Sequence, residues 1–223
     1  MTDRSLLLTI DTATRFAGVA LYDGDMICSE AYWQSHNNHS VELMPEIVRI
    51  LERQKKSAAD LLAVAVATGP GSFTGLRIGL SVAKGLALAQ KIPILGIPTL
   101  DIVAFQHTEQ RRPIWAIIQA GRKRLCAAQY VYRRGRWRQR GKMQVTTLEG
   151  LCDVIVARSL VCGELTKEAV AFLSERIEAD ILFASPALST RRPAGLAELA
   201  WERLQQGEQD DLDSLSPLYL YQS

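Results

Sequence analysis

The stretch "LLLTIDTATRFAGVALYDGDMICSEAYW", residues 6–33, sets the fold class. An apolar run over 5–10 ends at Asp11, a polar turn follows over 11–15, and strand-forming residues resume over 16–22. Asp23, Gly24 and Asp25 then signal a hairpin into a third strand over 26–33, so the chain begins as a three-stranded meander. Further along, 3.6-residue periodicity predicts a helix over 39–54, Ser57 caps a single turn, and 62–68 reads as a buried strand. A glycine-rich turn leads from that strand into a helix reaching about Ala89. A short strand over 92–97 and a helix over 99–107 follow.

The second half starts in the same way. Strands are expected at 114–118, 125–132 and 137–145, with a hairpin at Arg133, Arg134 and Gly135. Then come a helix over 147–158, a strand over 160–162, a helix over 166–176, a strand over 181–183, and a helix over 193–206 stopped by Gly207. Each half is a meander followed by alternating helices and strands, which predicts a duplicated α/β fold with one lobe at 1–107 and the other at 108–223.

With 223 residues, 48% of them apolar, and a mean hydropathy of +0.01, the composition is that of a globular protein. Apolar runs such as 61–67 fall far short of the ~20 residues a membrane helix needs, and residues 1–11 lack a signal-peptide layout, so the expected location is the cytoplasm, with no membrane partner. Cys28, Cys126, Cys152 and Cys162 are widely spaced within apolar stretches, as reduced core thiols would be. Net charge is only +2, but eleven of the 26 Lys and Arg lie within 111–148, where there is no Asp or Glu. So one-sided a segment attracts polyanions.

Two turns carry the chemical argument. In "DTAT" at 11–14, an acid ends the first strand and hydroxyls fill the turn, the arrangement with which the actin, hexokinase and Hsp70 group approaches ATP phosphates and their metal. Two readings of Asp11, Thr12 and Thr14 stand: a phosphate loop, vestigial in this chain, or a capped turn that satisfies its own backbone donors. The matching turn of the second half, Gln119, Ala120, Gly121 and Arg122, has no acid, which argues against phosphoryl transfer. The second turn, "GPGSFTGLRIG" at 69–79, lacks the Lys of a P-loop, the spacing of a dinucleotide fingerprint and the flanks of a nucleophile elbow. It reads as a tight turn with Ser72 or Thr74 capping a helix. Gly75, Gly79, Ala83 and Ala87 then line one face, and glycines there cost stability unless something approaches closely, either another helix or the chain itself.

"GPGSFTGLRIGLSVAKGLALA", with "LLLTIDTAT", "HSVELMPEI" and the ending Pro217, Leu218 and Tyr219, resembles the TsaB (YeaZ) family along essentially the whole chain. The resemblance implies an actin/Hsp70/hexokinase-like (ASKHA) fold and a non-catalytic role without a cofactor. It implies pairing with the catalytic paralogue TsaD, joined by TsaE, to transfer threonylcarbamoyl onto tRNA, and a homodimer when the chain is alone. It also implies that two first-lobe helices bundle with TsaD. The expected interface is His39, Leu43, Ile47 and Leu51 on one helix and Thr74, Gly75, Arg77, Gly79 and Ala83 on the other. The first helix fits this, because its apolar arc, which includes Val41, Met44 and Val48, spans roughly 180° where a surface helix needs about 100°. On this reading Gly79→Leu or Ile47→Asp abolishes partner binding and leaves the monomer folded. Two departures from the family pattern, Gly121 with Arg122 in the second-lobe turn and Tyr221 near the end, bear on nucleotide binding and leave this surface untouched.

In TsaD two histidines one helical turn apart hold a metal. Here His39 is followed one turn on by Leu43, and His36 supplies no third ligand, so a hydrogen-bonding role at the helix start is expected and no metal. Arg122, Lys123, Arg134, Arg136 and Arg138 form a candidate tRNA contact, with Arg140 on the same strand face and Tyr132 and Trp137 as stacking groups. A charged edge strand guarding against aggregation is the competing reading. Two other functions lack what they require. An ATP-dependent small-molecule kinase of the ASKHA class needs the missing second-lobe carboxylate, and a peptidase needs a nucleophile and base that His36, His39 and His107 do not complete.

Overall fold

Strand β1 (Leu6–Asp11) is buried at every residue, as a continuous apolar run must be when both faces of its sheet are covered. In the computed structural model, which describes residues 5–36, 38–107, 112–121 and 124–219, it is the central strand of the first sheet. β2 (Phe16–Tyr22) and β3 (Ile27–Gln34) complete the antiparallel meander. Helix α1 (His39–Arg53), β4 (Leu61–Gly69), α2 (Phe73–Gln90) and β5 (Ile94–Pro98) follow, with β4 parallel to both β1 and β5. The strand order is β3-β2-β1-β4-β5.

After α3 (Thr99–Phe105), a second sheet is built from β6 (Ile114–Gln119), β7 (Leu125–Arg133), β8 (Arg136–Thr146), β9 (Ser159–Gly163) and β10 (Ile181–Phe183). Its order, β10-β9-β6-β7-β8, is the first pattern repeated: a meander whose first strand pairs in parallel with the fourth. The helices of this half are α4 (Leu148–Val154), α5 (Lys167–Arg176), the short α6 (Pro186–Ser189) and α7 (Pro193–Gln205). Ser72, Thr147 and Thr166 cap α2, α4 and α5, each hydroxyl accepting an amide three residues on. α4 stops at Val154, short of the expected 158, because Ile155 turns into the core and the chain must reach β9 by Ser159.

The compact units differ from the expected lobes of 1–107 and 108–223. One comprises Met1–Thr99 with Arg192–Tyr219, and the other Leu100–Arg191. The reason is packing. α3 buries Leu100, Val103 and Ala104 in the same cluster as Ile114, Ala116 and Tyr130 of the second sheet. α7 packs on β1 and β2, where Thr9 Oγ1 donates to the Pro193 carbonyl at 3.2 Å. The following chain stays with the first sheet. Arg203 bonds the Gly96 carbonyl at 2.9 Å and Asp210 at 3.0 Å, and the Leu218 amide reaches the Thr68 carbonyl at 2.7 Å.

Candidate functional site

At the end of β1 the carboxylate and hydroxyls of the 11–14 turn are engaged by the chain itself. Asp11 Oδ1 accepts the Ala13 amide at 2.9 Å, and Thr14 Oγ1 accepts the Phe16 amide at 3.2 Å. Thr12 Oγ1 donates to the Gly75 carbonyl at 2.7 Å, and the Ser72 amide donates to the Ala13 carbonyl at 2.6 Å. Asp11, Thr12 and Thr14 are all buried. The local arrangement is the capped turn of the two readings, held down by the start of α2.

The same contacts account for the glycines. A Cβ on Gly71 would overlap the Ala13 carbonyl, one on Gly75 the Thr12 carbonyl, and one on Gly79 the Thr12 hydroxyl. Ala83 and Ala87 continue that face into the core beside Ile10 and Val66. Close approach within the chain, rather than a second chain's helix, is what the small residues serve.

Most of the expected interface is therefore core. Leu43, Ile47 and Leu51 are buried against the first sheet, as are Gly75, Gly79 and Ala83. His39 is buried too, with Nε2 2.9 Å from the Thr14 carbonyl, so the imidazole sits at the helix start in a hydrogen bond. Only Thr74 and Arg77 of the nine are exposed. Since Gly79 and Ile47 are core positions, Gly79→Leu and Ile47→Asp attack the monomer itself, and the expectation of a folded monomer is corrected. The wide arc of α1 divides: one half enters the core, and Val41, Met44 and Val48 face solvent at 68%, 40% and 45% exposure. These lie at i, i+3 and i+7, one stripe of a helix. Neighbouring α2 adds Phe73 and Leu88, at 54% and 67%. The Arg77 guanidinium lies 3.7 Å over the Phe73 ring, and its Nε donates to the Tyr219 hydroxyl at 2.7 Å.

The turn after β6 holds an acid that local sequence reading missed. Glu164, just past β9, accepts the Gln119 amide at 3.2 Å and pairs with Arg191 at 2.9 Å. Arg191 is buried, so this carboxylate is matched by a fixed positive charge. The pair is separated by 27 residues, and no local pattern announces it.

On the second sheet's edge, the register sorts the basic residues. Arg136 is opposite Arg133, Arg138 opposite Val131, and Arg140 opposite Gln129, so Arg133, Arg136, Arg138 and Arg140 share a face. Arg134 does not join them: it sits in the two-residue turn with φ +51°, next to Gly135 at +80°. Arg122 and Lys123 lie outside the described residues. Tyr132 and Trp137 pack edge to face at 5.3 Å on the opposite side, and Trp137 Nε1 donates to the His107 carbonyl at 2.9 Å, so Trp137 is engaged in packing against the second sheet's core.

Burial pushes the Cys126 thiol up to about 12 and raises Cys162, Cys28 and Cys152 as well, so none is a ready thiolate at neutral pH. Hydrogen bonds from Ser35 and Trp33 hold the Glu42 carboxyl below its usual range, and the Trp33 bond, at 2.9 Å, fastens α1 to β3. Among the described residues no three His, Cys, Asp or Glu come together as metal ligands, and no helix is long and apolar enough to cross a membrane.

The family model described as "TsaD: tRNA N6-adenosine threonylcarbamoyltransferase" matches residues 33–222. A tRNA threonylcarbamoyladenosine biosynthesis protein TsaB of Bacillus subtilis is 30% identical over 217 residues, 96% of this chain and 93% of the relative. A solved protein of Pseudomonas aeruginosa, described as uncharacterized with similarity to peptidase YEAZ, superposes with a TM-score of 0.80 at 26% identity, over 97% of this chain and 100% of the other. A ROK family transcriptional regulator, homologue of an E. coli protein, matches with a TM-score of 0.50 at 12% identity, over 91% of this chain and 80% of its own, a likeness of fold alone. The fold is the duplicated actin/Hsp70/hexokinase-like one, with each sheet repeating the same strand order.

Proposed function

The chain belongs to the TsaB family of tRNA threonylcarbamoyladenosine biosynthesis proteins, and from that premise we propose that it is the non-catalytic partner subunit that binds and supports TsaD. One observation carries the reading: an apolar stripe, Val41, Met44 and Val48, remains on the solvent side of a helix whose other side already fills the core. Scattered surface apolar residues need no explanation, but three apolar residues at i, i+3 and i+7 on the outer side of one helix have the layout of a helix-packing face.

The nature of the occupant follows from kinship. This chain itself matches the TsaD family model over 33–222, so TsaD is a chain of related build that can offer a corresponding helix pair. Two related faces pair about a pseudo-twofold axis, and the same face self-pairs as a homodimer when TsaD is missing. TsaE and tRNA join through the complex, in the cytoplasm. The non-catalytic role is supported by the two turns: Asp11, Thr12 and Thr14 are spent on the chain's own backbone, and Glu164 is neutralised by Arg191. The second-lobe turn, Gln119 to Arg122, also carries no acid of its own to organise a metal and a nucleophile.

Met44→Asp with Val48→Asp tests the reading. Both positions are exposed, so monomer stability should stay within about 0.5 kcal/mol of wild type. Co-elution with TsaD should be lost, and tRNA modification reconstituted with TsaC, TsaD and TsaE should fall to the level seen without this chain. Wild-type co-elution of the double variant overturns the assignment.

A further inference from the structure

We propose that the projecting β7–β8 hairpin is a contact for the phosphate backbone of RNA, made by Arg133, Arg136, Arg138 and Arg140. The identity of that RNA as tRNA rests on the function proposed above, while the polyanion chemistry rests on the hairpin alone.

β6 pairs with β7 only as far as Tyr130, so residues 131–138 extend past the sheet as a two-stranded ribbon. One face of the ribbon is closed by Tyr132 against Trp137. The other bears the four arginines, with Arg133 and Arg136 directly opposite each other. Like charges directly opposite across a ladder destabilise it, and a neighbouring acid would normally relieve them. Among the described residues, none of these four, nor Arg134 or Lys142, is in an ion pair. Several arginines elsewhere do meet acids: Arg112 and Arg158 meet Asp180, Arg192 meets Glu30, and Arg203 meets Glu208 and Asp210. A like-charge pair at the tip, left without an acid partner among the described residues, points to an anion from outside.

The layout favours a linear phosphate chain. Alternate residues on a strand are about 6.6–6.8 Å apart, a repeat comparable with successive phosphates of one RNA strand, and Arg136, Arg138 and Arg140 follow one strand in single file with Arg133 beside the first, where a membrane surface would call for a broad patch. The side chains are arginine, whose planar fork grips phosphate oxygens in pairs. A charged edge that only prevents aggregation needs neither the like-charge pair at the tip nor guanidinium in place of ammonium.

The test measures binding of unmodified tRNA to the full chain, alone and with TsaD, between 50 and 200 mM salt. Arg136→Gln with Arg138→Gln and Arg140→Gln should reduce the slope of log K against log salt by about 2, at roughly 0.7 per lost phosphate contact. The triple Arg→Lys variant should recover that slope with weaker binding, and both variants should melt and co-elute with TsaD as wild type does. No binding by the wild type, or an unchanged slope in the Gln variant, overturns the proposal. So does an unchanged slope accompanied by lost binding to phosphatidylserine vesicles, or loss of TsaD co-elution with tRNA binding intact. Because co-elution is read separately, failure of the partner assignment is distinguishable from failure of the hairpin.

Discussion

The turn after β1 and the turn after β6 occupy equivalent places in two sheets of identical strand order, and the chain treats them in opposite ways. The first is clamped: Thr12 and Ala13 bond to the start of α2, whose glycines let the helix come down on the turn. At the second, a Cβ on Gly121 would meet nothing within 4 Å, and the Gln119 amide is held by Glu164, just past β9. The difference teaches that the most distinctive stretch of the sequence, 69–79, is an internal clamp, and that a duplicated frame need not duplicate its sites.

Forcing a large side chain into the clamp should break this contrast with the largest effect. Gly79→Leu drives a branched chain into Thr12 and Ile10, and Ile47→Asp puts a charge into the first sheet's core. Each should cost more than about 3 kcal/mol, through overpacking in one case and an unpaired buried charge in the other. Urea denaturation or failure to recover soluble protein would show it. A Gly79→Leu protein with wild-type stability would mean that the turn is not clamped by α2.

The two meanders were legible in the sequence because their strands alternate with unmistakable turn chemistry, such as Asp23 to Asp25. The arc of α1 was legible too, but which half faces the sheet was not, since periodicity fixes the relative angles of Ile47 and Val48 and says nothing about where the sheet lies. The unit boundary was hidden for a related reason: α3 packs on the sheet of the strand that follows it rather than the one before, and α7 returns to the first sheet after the strands of the second, choices without local signature. Arg134 was placed on the strand by parity, whereas a two-residue turn removes it from the count. Glu164 and Arg191 are simply too far apart in sequence to be seen as a pair.

A middle-sized effect sharpens the comparison at the covering helices. α7 is held to the first sheet by Thr9 and by the Arg203 cluster, whereas α3 is held to the second by Tyr130, whose hydroxyl donates to Asp101 Oδ1 at 2.5 Å. Burial raises the Asp101 carboxyl above its usual range, partly offset by that hydrogen bond. A raised folded-state value means that this group's contribution to stability is fully present below the unfolded value near 4 and is lost as pH rises through the folded value. Tyr130→Phe should therefore cost about 1–3 kcal/mol at pH 7 and less at pH 4. Asp101→Asn keeps an acceptor without the charge, so its melting temperature relative to wild type should climb from pH 4 to pH 7. A flat difference across that range would mean that Asp101 ionises no less readily in the fold than in the unfolded chain.

The smallest effects come from three alanines, and here sign decides more than size. In a helix, Gly→Ala ordinarily stabilises by about 0.8–1 kcal/mol. Gly85 lies in α2 with nothing within 4 Å of a new Cβ, so Gly85→Ala should show that gain. Gly75, ten residues earlier in the same helix, has the same propensity to recover, but its Cβ would run into the Thr12 carbonyl, so Gly75→Ala should be destabilising. Gly121 has open space but a φ of +84°, so Gly121→Ala should lose about 1 kcal/mol to backbone strain alone. Thermal melts of the three side by side separate clamp, helix and turn. If Gly75→Ala rose together with Gly85→Ala, the glycines of 69–79 would be serving something other than the turn beneath them, and an external helix would again be the explanation to pursue.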